Sequence, residues 1–273
     1  MKKPHGPPGF SRSSQRLQPG AEAEASRSAM VMIEVDSVSR FFGRFQALSR
    51  VSLQIKEGEF RGLIGPNGSG KTTLFNVISG VYPASSGHVR FRGKDITRWT
   101  PDRICHEGIA RTFQIPRPFK EMDVVENVMV GVLFGQKKRN LSEGEARREA
   151  MHWLEFVGLE VHERTSPGEL TAGNLRRLEM ARVLATGPSL LLADEVMSGL
   201  NQEEIERTCG VLRRIHQELG ITILWIEHIM GALMNLVEKV TVLDYGQVIA
   251  EGTPQEVARD KKVIEAYLGQ EGG

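Results

Sequence analysis

The stretch Phe60-Arg61-Gly62-Leu63-Ile64-Gly65-Pro66-Asn67-Gly68-Ser69-Gly70-Lys71-Thr72-Thr73 joins a short apolar run to a glycine-rich loop and then to a helical pattern that reaches Ser79. Its centre, Gly65 to Thr72, fits the pattern G-x-x-x-x-G-K-[ST]. Glycines in such a loop let successive backbone N–H groups turn inward around phosphate oxygens, which side chains would block. A helix starting near Gly70 points its positive end at the same anion. Lys71 is then placed to reach the β- and γ-phosphates, and the Thr72 hydroxyl to ligate Mg²⁺. A chance match to four restricted positions is on the order of a one-per-cent event in a chain this long. Gly65, Pro66, Asn67, Gly68, Ser69, Gly70, Lys71, Thr72 and Thr73 are therefore the candidate nucleotide-binding residues. The loop alone does not separate a transport ATPase from a kinase or a GTPase.

Further along, Leu190-Leu191-Leu192-Ala193-Asp194-Glu195 is an apolar strand ending in two acids. Joined to a phosphate loop, such an Asp is the second element that holds Mg²⁺. The adjacent Glu is placed as a general base for water at a strand's C-terminal edge. Taken alone, the two acids read as caps of the next helix. Upstream, residues 31–38, 48–55 and 60–64 are short β-branched and aromatic runs, with another strand near 88–91. Residues 117–186 are mostly helical by their 3- and 4-residue apolar steps, clearest over 124–134, 144–157 and 174–186. A second fully apolar strand spans Ile221–Ile226. Strands alternating with helices predict an α/β fold with a largely parallel, buried sheet and a helical subdomain inserted at about 115–186.

The 273 residues, 40% hydrophobic and 25% charged, suit one large domain or two small ones. The formal net charge is +1, with residues 1–29 at +3 and the remainder at −2, which argues against an electrostatic nucleic-acid binder. Residues 1–29, rich in Pro, Gly, Ser and Arg, read as a disordered tail preceding a domain over 30–273. That segment has no apolar h-region of a secretory signal. No run approaches the ~20 apolar residues of a membrane-spanning helix, so a membrane role would come through a partner. Cys105 and Cys209 have no metal-type spacing and read as free thiols.

Between the loop and the acidic strand lies Leu170-Thr171-Ala172-Gly173-Asn174, followed on a helix by Arg176, Arg177, Ala181 and Arg182. This resembles the LSGGQ signature of ABC-type ATPases, with Thr171, Ala172 and Asn174 replacing Ser, Gly and Gln. Leu141-Ser142-Glu143-Gly144-Glu145 looks superficially closer, but reads as a helix N-terminus with Ser142 as cap and Glu145 three residues on. Other elements fall in the family's order. Gln114 in Arg111-Thr112-Phe113-Gln114 looks like the glutamine that senses Mg²⁺ and the attacking water. Ser198-Gly199-Leu200-Asn201 resembles the loop that contacts a partner chain. His228 in Ile226-Glu227-His228 is similar to the histidine aimed at γ-phosphate, and Phe42 to the aromatic that stacks on adenine. Val196 stands where the family usually has Pro.

The resemblance spans residues 31–268. Arg-Thr-Phe-Gln, Arg-Arg-Leu-Glu after the signature, Gly-Leu-Asn at 199–201 and Ala-Tyr-Leu-Gly at 266–269 narrow it to the ATP-binding subunits of branched-chain amino acid importers, a group that also serves urea and short amides. It implies a P-loop ATPase core with N-terminal antiparallel strands. Lys71, Gln114, Glu195 and His228 would be catalytic. Thr72, Gln114 and Asp194 would hold Mg²⁺, and Thr171, Gly173 and Asn174 would meet ATP across a dimer. It further implies a second ABC ATPase chain, identical or not, transmembrane permease subunits, a solute-binding protein acting indirectly, and a peripheral place on the cytoplasmic face of the plasma (inner) membrane. Two alternatives stand beside this: a soluble ABC ATPase not coupled to transport, and a poorly hydrolysing subunit of a heteromeric transporter.

Overall fold

The computed structural model describes residues 30–135, 140–160 and 164–268. The tail expected over residues 1–29 lies outside them, as does Gly269. In chain order the elements are β1 (Val31–Phe42), β2 (Phe45–Lys56), β3 (Phe60–Ile64), α1 (Lys71–Ile78), β4 (Ser86–Phe91), β5 (Lys94–Asp95), α2 (Pro101–Glu107), β6 (Ile109–Arg111) and α3 (Val124–Phe134). There follow α4 (Glu143–Phe156), a 3₁₀ turn (Pro167–Glu169), α5 (Ala172–Ala185), β7 (Leu190–Asp194), α6 (Gln202–Leu219), β8 (Thr222–Ile226), α7 (Met230–Met234), β9 (Lys239–Asp244), β10 (Gln247–Gly252), α8 (Pro254–Val257) and α9 (Lys261–Leu268).

Two sheets form. The first is antiparallel, in the order β2-β1-β4-β5, and the second runs β10-β9-β3-β8-β7-β6. Within the second, β3, β6, β7, β8 and β9 are parallel and β10 closes an edge antiparallel to β9. Strands buried on both faces need apolar residues at every position, and β7 and β8 are buried throughout. Successive side chains still divide between two cores by the period of two. Leu190, Leu192, Leu224 and Ile226 pack with α1 and the antiparallel sheet. Leu191, Ala193, Ile223 and Trp225 pack against the opposite layer of helices.

That opposite core also takes Val128 and Val132 of α3, Ala146 and Leu154 of α4, and Leu178 and Leu184 of α5. The three central helices thus share one continuous apolar cluster with the sheet. Each starts at a capped N-terminus: Asp123 with Glu126, Ser142 with Glu145, and Thr171 accepting from the Asn174 N–H. The reciprocal Ser142–Glu145 box is the outcome anticipated for the misleading stretch at 141–145.

The first hairpin extends past the expected ends, to 42 and from 45, and α5 begins at Ala172 rather than 174. The short strand β6 and the β9–β10 pair were not anticipated. Both cysteines are free thiols, and among the described residues no helix is long and apolar enough to cross a membrane.

Candidate active site

Parallel pairing brings four chain segments to one edge of the second sheet. Leu63 of β3 is level with Ile226 of β8, Ile226 with Asp194 of β7, and Leu192 of β7 with Arg111 of β6. The residues that follow these strands, Gly65, His228, Glu195 and Gln114, therefore emerge side by side at the strands' C-terminal ends, where open α/β sheets bind ligands.

The loop after β3 is shaped by its glycines. Gly65 has φ +147°, and a Cβ there would come within 2.0 Å of the Leu243 carbonyl oxygen. Gly70, at φ +103°, caps α1, and its Cβ would meet the Ala47 carbonyl oxygen at 2.8 Å. Side chains at either position are excluded by both conformation and space. Lys71 is 6% exposed, and its Nζ donates to the carbonyls of Gly65 at 2.7 Å and Pro66 at 2.9 Å. Burial lowers its pKa, and the charges of Glu195 and Asp194 pull it back up. The first-turn N–H groups of α1 lack helical acceptors and Gly70 gives them no side-chain cap, so among the described residues they are placed to bind an anion.

Glu195 stands in the left-handed region at φ +46°, an uncommon conformation for a residue with a Cβ. Its N–H donates to the Ile226 carbonyl at 2.9 Å, while Val196 and Met197 are buried in the helical-side core. The carboxylate lies between two expected site residues: Gln114 Nε2 donates to Oε2 at 2.5 Å, and His228 Nε2 is 2.7 Å from Oε1. Asp194 is buried, and its Oδ2 accepts from Arg111 Nη2 at 2.7 Å. Burial raises the Asp194 pKa, against the hydrogen bond and charge of Arg111. Among the described residues no group of three or more His, Cys, Asp or Glu could hold a metal ion. The donors present, the exposed Thr72 hydroxyl, the Asp194 carboxylate and the Gln114 amide, suit a cation completed by nucleotide oxygens and water, as Mg²⁺ is commonly held.

Two further predicted sites lie apart from this cluster. Thr171–Asn174 sits at the start of α5, where Thr171 and Ala172 are exposed and Gly173 is buried, with Asn174 accepting a long bond from Arg177 at 3.4 Å. Phe42 ends β1, 38% exposed, with the Arg40 guanidinium 4.6 Å above its ring and Tyr82 edge-on at 5.2 Å.

Residues 48–198 match the family model described as ABC transporter, and residues 247–272 match that described as branched-chain amino acid ATP-binding cassette transporter. The chain belongs to the ABC transporter ATP-binding family. It is 37% identical over 250 residues to the high-affinity branched-chain amino acid transport ATP-binding protein BraF of Pseudomonas aeruginosa, covering 88% of this chain and 98% of that one. It is 34% identical over 250 residues to LivG of Escherichia coli, with the same coverage. Among solved structures it resembles an ATP-binding cassette in its ADP conformation, with a TM-score of 0.80 and 36% identity over 88% of this chain and 100% of that one. It also resembles a dimeric cassette in a post-hydrolysis state bound to ADP and Pi, with a TM-score of 0.74 and 27% identity over 82% and 99%.

The cassette also contains site neighbours that lie within its motifs but that those motifs leave without a role. Arg111 bonds Asn76 at 2.7 Å as well as Asp194, so it ties α1 to the acidic strand. Glu227 is buried and accepts from the backbones of His228 at 2.9 Å and Met197 at 3.4 Å, and burial raises its pKa. Tyr267 of α9 lies inside the Ala-Tyr-Leu-Gly run, and burial raises the pKa of its hydroxyl against the opposing effect of the Gly65 backbone. Glu179 of α5 is 6% exposed, and burial pushes its carboxyl up to about 7, opposed first by the Phe113 N–H and then by Arg176 and Arg182. A carboxyl raised on folding contributes most below its unfolded pKa, near 4.5, and loses that contribution as pH rises to about 7. Glu179→Gln should therefore gain stability relative to the parent between pH 5 and 8, by on the order of 3 kcal/mol. Urea unfolding at both pH values checks this, and a parallel pH dependence of the two chains would contradict it.

Proposed function

We propose that this cassette is the ATP-hydrolysing subunit of a membrane importer for branched-chain amino acids or related small polar solutes. One observation carries the hydrolytic part: Glu195 is held between Gln114 and His228 at the strand edge next to the phosphate loop. The match at 247–272 supports the importer type.

In this reading Lys71 exchanges its loop carbonyls for the β- and γ-phosphates, while the loop N–H groups surround the same oxygens. Thr72, Asp194 and Gln114 would hold Mg²⁺, which would supply positive charge against the phosphate oxygens. Arg111 holds Asp194 through Oδ2 and so fixes this carboxylate at the strand's end. Glu195 accepts the proton of the attacking water, and Gln114 and His228 fix the carboxylate's orientation. Phe42, with Arg40 and Tyr82, offers a stacking surface for adenine. Thr171, Gly173 and Asn174, at the N-terminus of α5, complete the site of a second cassette. The helical region of about 115–186 carries the resulting motion to transmembrane permease subunits. The cassette thus works peripherally at the cytoplasmic face of the membrane, with a solute-binding protein beyond the permease.

Affinity purification from detergent-solubilised membranes tests the assembly. Multi-span permease subunits and a second cassette should co-purify, and loss of the chain should abolish uptake of a branched-chain amino acid or short amide. Recovery only with soluble proteins, and uptake unchanged, would overturn the importer reading.

A further inference from the structure

The segment that carries Gln114 has little apolar anchorage, since Phe113, Ile115 and Phe119 are 49%, 69% and 43% exposed. Charged side chains of α5 hold its backbone instead. The Phe113 N–H donates to Glu179 Oε1 at 2.8 Å, and the Phe113 carbonyl accepts from Arg176 Nη1 at 2.9 Å. Three residues beyond Glu179, Arg182 Nη1 donates to the Arg117 carbonyl at 2.8 Å, with its guanidinium 4.7 Å from the Phe119 ring centroid. Arg176 Nη2 also reaches the Ser198 carbonyl at 3.4 Å.

A glutamate in the middle of a helix is ordinarily solvated. Here it is buried with, among the described residues, the Phe113 N–H as its close partner and Arg176 3.9 Å away. Burying such a group is unfavourable unless its bonds are made, and these bonds go to the residue next to Gln114. We propose that Glu179 is a positioning residue for ATP hydrolysis: with Arg176 it grips both backbone polar atoms of Phe113 and so sets the Gln114 amide against Glu195. The proposal rests on the roles given above to Gln114 and Glu195. It also makes the 171–174 turn, at the start of the same helix, continuous with the Gln114 segment through two side chains.

Glu179→Leu removes the acceptor at similar volume, whereas Glu179→Gln keeps an oxygen of the same reach. Small misplacements of a catalytic group are costly in rate. In the full chain the leucine variant should therefore lose about 10-fold or more in kcat, with KM for ATP within about two-fold, and the glutamine variant should restore turnover. Exchange of the Phe113 and Gln114 amides should accelerate about 10-fold or more in the leucine variant, with α1 unchanged, and return to the parental rate with glutamine. If the leucine variant does not fold, Arg176→Gln carries the same two readouts through the Phe113 carbonyl. Parental turnover and exchange in the disrupted variants, or no rescue by glutamine, would overturn the proposal. Gln114→Ala separates the two levels of the argument. Parental turnover there would overturn the role of Gln114 itself, whereas slow turnover there with a fully active Glu179→Leu would overturn only the positioning. On the Gln114→Ala background, Glu179→Leu should add no more than about two-fold.

Discussion

Glu195→Gln should bind ATP and fail to turn it over, with kcat lower by about 10²–10⁴-fold, the contribution typical of a positioned general base. Glutamine matches glutamate in shape and still accepts from Gln114 through its carbonyl oxygen, but it cannot take a proton from water. Asp194 and its Arg111 partner are untouched, so the cation-holding carboxylate remains. Removing a negative charge beside the γ-phosphate also relieves like-charge repulsion, which favours the bound state. Light scattering with Mg-ATP should show a longer-lived dimer or partner complex than in the parent. Turnover at the parental rate would place the base elsewhere. Loss of turnover without any complex would leave the base assignment standing and point to the altered signature, Thr171 to Asn174, instead.

Lys71→Ala should cost about 10²–10³-fold in turnover, the scale for losing one preorganised donor to developing charge. The ammonium is the cation enclosed by the Gly65 and Pro66 carbonyls, and without it Asp194 and Glu195 would face the phosphates with less compensation. The fold should survive, because burial already works against this ammonium, and its removal relieves a desolvation cost while returning two carbonyls to loop water. Nucleotide binding by fluorescence and the thermal transition, measured together, check both halves. Wild-type-like binding and turnover at an unchanged transition would contradict the assignment.

The parts of the site legible in the sequence are those in which one short window carries the chemistry. Gly65 to Thr73 announces itself because glycines, a lysine and a hydroxyl must be contiguous to wrap an anion. Asp194 and Glu195 are legible because an apolar strand with an abrupt acidic end follows a phosphate loop in the same chain. Gln114, Glu195 and His228 lie 81 and 33 positions apart along the chain, so only the family order suggested that they meet. Sheet pairing is what brings them together. Glu179 entered only as the last residue of Arg-Arg-Leu-Glu, without a role, because a glutamate among arginines on a helix reads as a solvated face and its burial depends on where the 113–119 segment crosses. Arg111 appeared only as a letter in a motif, since its partners Asn76 and Asp194 are distant in sequence. Among the elements, three-residue β6 is too short for any period, and β10, with no fully buried position, lacks the apolar run that marked β7 and β8.

The position of the γ-phosphate tests the catalytic assignment most directly. A structure of the full-length Glu195→Gln chain with Mg-ATP should place that phosphate against Lys71, Gln114, residue 195 and His228, with Thr171, Gly173 and Asn174 of a second cassette closing over it. A γ-phosphate turned away from residue 195, or a closed site formed without a second cassette, would contradict it.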